Sequence, residues 1–414
     1  MVSTHLSDKA ATYLRTLCLE IPGRQVGSAG NQAATQFFTG VVSSFGFEAK
    51  CPTFECIDWT QAGAELTAGG VAFPVQVSPY SLGCRVRAPL AVVSTVEELE
   101  QAEVRGQVLL LRGEIAHEQL MPKNFTFYNP DEHKRIYRAL ESAQPLAIVA
   151  ATSRNPELAG ALYPFPLIED GDFDIPSVFL TDEEGDRLAQ RAGQVVHLES
   201  RAQRMPSQGC NVVARKGQDA KRRAVLFAHI DAKQGTPGAL DNASGVATLL
   251  LLAELLAGYS GKLGIEIVAI NGEDYYGAQG EKLWEAANTG HFDEIVLGIN
   301  LDGAGHREGR TAYSIYGCPP EMEDLIRQTF AAHPGLVEGK PWYQSDHSLF
   351  LMYQRPALAL TSEGMGPLWT EVAHTAGDRA ELVDPARLVE IAQALHELLL
   401  RIEGQVGPAN ESVG

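Results

Sequence analysis

The sequence predicts an α/β fold: a mixed central β-sheet flanked by helices, interrupted by a mostly β insertion. Two observations carry this. From Ala224 onward, short apolar runs alternate with helical stretches in the order strand, loop, helix, the pattern of a sheet covered by helices on both faces. Between about 60 and 200, short strand-like runs are separated instead by Gly, Pro and charged turns, as in a β-rich module.

Taken in order, residues 8–20 and 31–45 repeat Ala, Leu, Phe and Val at three and four, which predicts two helices. In the insertion, Val71–Val77, Pro89–Val93, Gly106–Leu111, Ala147–Ala150 and Pro176–Leu180 read as strands, and one helix is expected near Asp131–Ser142. Asn211–Val213 reads as an edge strand re-entering the first sheet. Buried-strand runs follow at Val225–Ala228, Gly264–Ile270, Ile295–Asn300 and Ala357–Leu360, with helices at Val246–Leu256 and Pro385–Ile402. The expected division is 1–59 and 203–414 for the α/β domain, with 60–202 inserted. A chain of 414 residues accommodates that arrangement.

With 33 Lys and Arg against 52 Asp and Glu, the net charge is −19. That sign argues against nucleic acid and against anionic membrane surfaces as partners. The longest apolar run, Val246 to Ala257, contains Glu254 and is shorter than the roughly 20 residues that span a bilayer. The first residues show no basic stretch followed by an apolar one, and the six cysteines show no CxxC spacing. A cytoplasmic protein with reduced thiols is expected. Whether copies of the chain associate is not set by the sequence.

Polar residues collect where the predicted strands end: His229 and Asp231, Glu273 and Asp274, Asp302, and later His374. Asp241 and Asn242 precede the Val246 helix. Ligands bind α/β sheets in the crevice beyond the carboxyl ends of the strands, so two imidazoles and several carboxylates should meet there. These are the ligand types of a pair of zinc ions, which polarise a carbonyl and acidify water. Such chemistry also needs a carboxylate outside the ligand set to carry the proton. Singly, each piece has a plainer explanation. The Asp-Asn-x-Ser-Gly loop, for instance, is also an ordinary helix N-cap.

The segments His229-Ile-Asp231, Gly238-Ala-Leu-Asp-Asn-Ala-Ser-Gly245, Asn271-Gly-Glu-Asp274, Asn300-Leu-Asp302, Ser345-Asp-His347 and His374-Thr375 resemble the co-catalytic di-zinc aminopeptidases, metallopeptidase family 28. Arg24-Gln-Val-Gly-Ser28 is similar to that family's early Arg-x-x-Gly-Ser segment, and the insertion looks like a protease-associated domain. The resemblance implies a peptide hydrolase acting on N-terminal residues with two Zn2+ per chain, Co2+ or Mn2+ being possible substitutes. It implies His229, Asp241 and Asp302 around one ion, and Asp241, Asp274 and His374 around the other. Glu273 would be the general base, and Asp231 would orient His229. Asp274 stands where the family usually has Glu, and Ala373 where many members have a Tyr that assists the oxyanion. Tyr275, Tyr276 and Tyr343 are candidates to replace that Tyr. Tyr275, Tyr343, His347 and Trp369 are candidates for substrate contact, although Ser345-Asp-His347 reads more readily as a brace beneath the site. The same fold also serves a one-zinc glutaminyl cyclase, carboxypeptidases and metal-free binding proteins, which stay as alternatives.

Overall fold

The computed structural model describes residues 2–21, 23–125, 129–154 and 163–405. Two eight-stranded sheets are present among them. The first is mixed. Its centre is four parallel strands, Leu263–Ile270, Asp219–His229, Ile295–Leu301 and Ala357–Ser362, adjacent in that order. Antiparallel strands Val212–Lys216 and Thr311–Tyr316 flank them on either side. Parallel pairing buries a strand on both faces, and Leu263–Ile270 is buried at every position.

Helices cover both faces. On one side Ser244–Leu255, Ala29–Ser44, Val2–Arg15 and Pro385–Gln405 share a core with the sheet. Residues Ser244 to Ala253 are buried on every side of their helix, which explains why that stretch is apolar throughout rather than amphipathic. Each fully buried Leu there contributes about 1.5–3 kcal/mol by leaving water. On the other side Phe227, Trp284, Phe292 and Phe350 pack as an aromatic cluster.

Val212–Lys216 is not the edge strand that its sequence suggested. Glu48–Lys50 pairs outside it, a three-residue strand too short to leave a periodic signal.

The second sheet is drawn from residues 53–210. Its backbone is an antiparallel ribbon of two 16-residue strands, Thr53–Ala68 and Val195–Cys210. Separate apolar cores lie on its two faces. Besides Asp131–Ala143 it carries two helices that periodicity did not predict, Val96–Gln101 and Asp182–Ala189. Both are short and charged, and local capping supports them. Thr95 Oγ1 accepts from Glu98 N–H, and Thr181 Oγ1 accepts from Glu184 N–H.

The module meets the rest of the chain through a small, largely aromatic core of Val26, Trp59, Tyr80, Tyr275 and Tyr276. The ring centroids of Tyr80 and Tyr275 lie 5.1 Å apart, nearly perpendicular, the edge-to-face arrangement that aromatic quadrupoles favour.

Candidate active site

The four central strands run in one direction, so their carboxyl ends open on one side of the sheet. His229 ends one strand. Asn271 to Asp274 follow the next, and Asp302 follows the third. Asp241 sits in the turn that opens helix Ser244–Leu255. His374 comes from the loop after helix Met365–Glu371 and holds a left-handed φ of 62°, an unusual conformation for a non-glycine residue.

These side chains converge. His229 Nε2 is 2.9 Å from Asp241 Oδ1 and 3.7 Å from Asp302 Oδ1. His374 Nε2 is 3.0 Å from Asp241 Oδ2 and 3.1 Å from Asp274 Oδ1. The Asp241 carboxylate therefore turns one oxygen to each imidazole, with a further carboxylate beside each. His229 is fully enclosed, and Asp241, Asp274 and Asp302 are nearly so.

Burial alone would lower the proton affinity of His229, but Asp231, Asp241 and Asp302 outweigh it and hold it well above the ordinary histidine range. For His374 burial acts the same way, and Asp274 and Asp241 outweigh it. Asp241, despite its burial, is held strongly acidic by the two imidazoles.

The donor set fits a metal. His229 Nε2, Asp302 Oδ1 and Asp274 Oδ2 are buried without a hydrogen-bond partner, although other ligand atoms lie within a few ångströms. Orphaned buried polar atoms are costly. Atoms this close that do not bond one another are arranged for a common third body. His229, Asp241 and Asp274 also bring ligand atoms within 4.8 Å of one another. Imidazole nitrogen with carboxylate oxygen suits zinc, and also cobalt or manganese.

Glu273 lies beside this cluster, partly open to solvent, and its carboxylate has no hydrogen bond among the described residues. Burial raises its proton affinity, His229 opposes, and Asp274, Asp302 and Asp346 add to the rise. The balance lies well above an ordinary glutamate.

The carboxylate of Asp231 lies 3.8 Å from His229 Nδ1 and is the first of the groups that raise that imidazole's proton affinity. It also accepts from Gly272 N–H at 2.8 Å and Asp274 N–H at 3.0 Å. Asp231 thus faces the imidazole and also shapes the turn that presents Glu273 and Asp274. On the other flank Ser345 donates to Asp302 Oδ2 at 2.6 Å, and Asn300 donates to Ser345 Oγ at 2.8 Å. Oriented outer partners of this kind raise metal affinity by 10–100-fold, roughly.

Arg24 is fully buried and donates to the carbonyls of Leu17, Ile230, Pro237 and Gly238 at 2.7–2.9 Å. It ties the His229 turn to the Asp241 turn from beneath. Gly238 is required there. At φ +58° a Cβ would meet Asp241 O at 2.5 Å and Arg24 Nη2 at 2.7 Å.

Three further supports reach the site from residues given no role by the sequence. Asp378 accepts from Leu240 N–H and Asp241 N–H at 2.8 and 3.0 Å. Its burial, with Asp241 nearby, pushes its carboxyl up to about 6 against the pull of those two amides. Asn31 and Asn271 exchange amide hydrogen bonds, both 2.8 Å, which fixes the start of the Glu273 turn. Glu281 and Asp346 form a fully buried carboxyl pair behind it.

The candidates for substrate contact separate by exposure. Tyr275 is enclosed in the aromatic core, where its hydroxyl accepts from Ile57 N–H at 2.5 Å. Its neighbour Tyr276 is held in the same cluster. His347 is fully buried, bonded to the Trp342 carbonyl at 2.8 Å and packed on Tyr316 and Trp342. Burial leaves Tyr275 and His347 no surface to offer a substrate. Tyr343 is exposed. Trp369 and Met365 lie against Gly303, the residue after Asp302. A cavity of about 250 Å3 opens onto His374. Its wall is shared between Lys233 and Gln234 of the first domain and Trp59, Gln76 and Glu169 of the module. Lys233 Nζ and Glu169 Oε2 are 3.0 Å apart across it.

Residues 211–399 match the model of peptidase family M28. The chain is similar to an aminopeptidase from Aneurinibacillus sp. strain AM-1 (TM-score 0.74, 20% identity, 95% of this chain and 93% of that one). It is also similar to BSAP, a zinc aminopeptidase from Bacillus subtilis (TM-score 0.70, 17% identity, 96% and 94%). In sequence it is 24% identical over 292 residues to the probable lipoprotein aminopeptidase LpqL of Mycobacterium tuberculosis, a match over 67% of this chain and 54% of that protein.

Proposed function

We propose that this chain is a zinc-dependent aminopeptidase of the M28 type that hydrolyses N-terminal residues from peptides. The supporting observation is the Asp241 carboxylate, with one oxygen toward His229 and Asp302 and the other toward His374 and Asp274. That arrangement supports two ions per chain. His229, Asp241 and Asp302 would hold one, and His374, Asp241 and Asp274 the other, with Asp241 shared.

Bound there, zinc would supply Lewis acidity toward the scissile carbonyl and toward water. The chain's own residues do the rest. Glu273 accepts the proton of the attacking water and returns it to the leaving amine. Asp231 and the Asn31–Asn271 pair hold the Glu273 turn at its working position. The substrate occupies the cavity between the domains. Trp369 and Met365 beside Gly303 offer an apolar wall for a side chain, and the exposed Tyr343 is a further candidate for contact. The module, expected over 60–202 and built on a sheet that runs from Thr53 to Cys210, is protease-associated-like, and the working compartment is the cytoplasm.

A defined peptide mixture incubated with the zinc-loaded chain, followed by mass spectrometry, tests this. Stepwise loss of residues from the N-terminus is the expected result. Loss of ammonia from N-terminal Gln would make the protein a cyclase, trimming from the other end a carboxypeptidase, and an unchanged mixture a binding protein. Each of these outcomes contradicts the aminopeptidase reading.

A further inference from the structure

The module is joined to the catalytic domain by two chain crossings that run side by side. One leaves the first sheet at Glu48–Lys50, passes Cys51 and Pro52, and enters the module at Thr53. The other returns along Val195–Cys210 and re-enters the first sheet at Val212. The register is continuous across the gap. Lys50 stands opposite Val213, and Thr53 stands opposite Cys210. Between them Asn211 N–H donates to the Pro52 carbonyl at 3.1 Å. Cys51 and Cys210 therefore lie diagonally across the two crossings on one face.

The side chains agree with this. Cys51 Sγ is 3.4 Å from Thr39 Oγ1, while the Cys210 thiol feels Thr35, one turn earlier on the same helix face, and Cys51 itself. Cys51 is exposed and Cys210 half-buried.

We propose that Cys51 and Cys210 are a reversible dithiol/disulfide pair, a modification site for low-molecular-weight disulfides of the glutathione class that staples the neck of the inserted module. The exposed Cys51 thiolate attacks the small disulfide, forms a mixed disulfide and releases one thiol. The Cys210 thiolate then attacks the Cys51 sulfur, forming the Cys51–Cys210 bond and releasing the second thiol. The protein loses two protons and two electrons, and those electrons reduce the small disulfide to two thiols. Exposure makes Cys51 the initiating group. Burial, partly offset by Thr35, raises the Cys210 thiol and suits it to the resolving step.

The neck also supports the Glu273 turn. Asn271 Nδ2 donates to the Cys210 carbonyl at 3.1 Å, and Asn271 N–H donates to Asn211 Oδ1 at 3.0 Å. Locking the two crossings together stiffens that support together with the module's hinge.

The test is independent of the peptidase reading. The full chain is incubated with oxidised glutathione, quenched with iodoacetamide, digested without reductant and measured by mass spectrometry. The expected product is a linked Cys51–Cys210 peptide pair, lighter by about two hydrogens than its free parts, lost on reduction and absent from Cys51→Ser. In Cys210→Ser the reaction should stop at glutathione bound to Cys51. Alkylation of both cysteines after oxidation of the unaltered chain, or a persistent glutathione adduct on its Cys51, would overturn the proposal.

Discussion

Glu273→Gln is expected to lower kcat for an aminoacyl anilide by about 10²–10⁴-fold, the range for losing a positioned proton carrier. KM should change little and zinc content not at all. The reason is placement. Glu273 leaves the strand next to Asp274, but the close contacts within the imidazole–carboxylate cluster are made by Asp274, and Glu273 stays free of hydrogen bonds beside it. Glutamine keeps the shape of the turn and removes only the ability to take a proton. Steady-state kinetics with metal analysis by plasma mass spectrometry separates the cases. Loss of metal together with activity would make Glu273 a ligand, and unchanged kcat would place the base elsewhere.

The second large effect is expected at Asp241. Its two oxygens are the only atoms that face both imidazoles among the described residues. Removing even an outer partner of a ligand costs roughly 10–100-fold in metal affinity, so Asp241→Asn, which can no longer bridge as a carboxylate, should cost more. Zinc bound per chain should fall from two to one or fewer, and hydrolysis should fall to background. Circular dichroism should show the fold retained, because Asp378 holds the backbone N–H groups of Leu240 and Asp241 and makes no contact that requires the Asp241 side chain. Retention of two ions in this variant would show that Asp241 does not bridge.

Most residues of this centre stand out in the sequence because they end a strand or open a helix, where a short motif marks the spot; His374, in the loop after helix Met365–Glu371, stands out by its His-Thr motif alone. His229-Ile-Asp231 and Asn271-Gly-Glu-Asp274 are examples. The four parallel strands were legible for the same reason, as short apolar runs bounded by polar turns. Supports that act across the chain were not. Asp378 reaches an amide 137 residues away, and Asn31 pairs with an amide 240 residues away. Nothing local distinguishes either from a surface residue. The second use of Asp231 was not legible either: besides facing His229, it accepts from the amides of Gly272 and Asp274 on a neighbouring strand end. The helix at Asp182–Ala189 escaped notice because its stability comes from the Thr181 cap and first-turn acids, not from an apolar stripe.

The two-ion centre is tested most directly by a crystal of the zinc-loaded chain measured on both sides of the zinc absorption edge. Two anomalous peaks about 3.5–4 Å apart, one near His229 and Asp302 and one near His374 and Asp274 with Asp241 between them, are the result predicted here. A single peak at full zinc loading, or peaks away from Asp241, would contradict it.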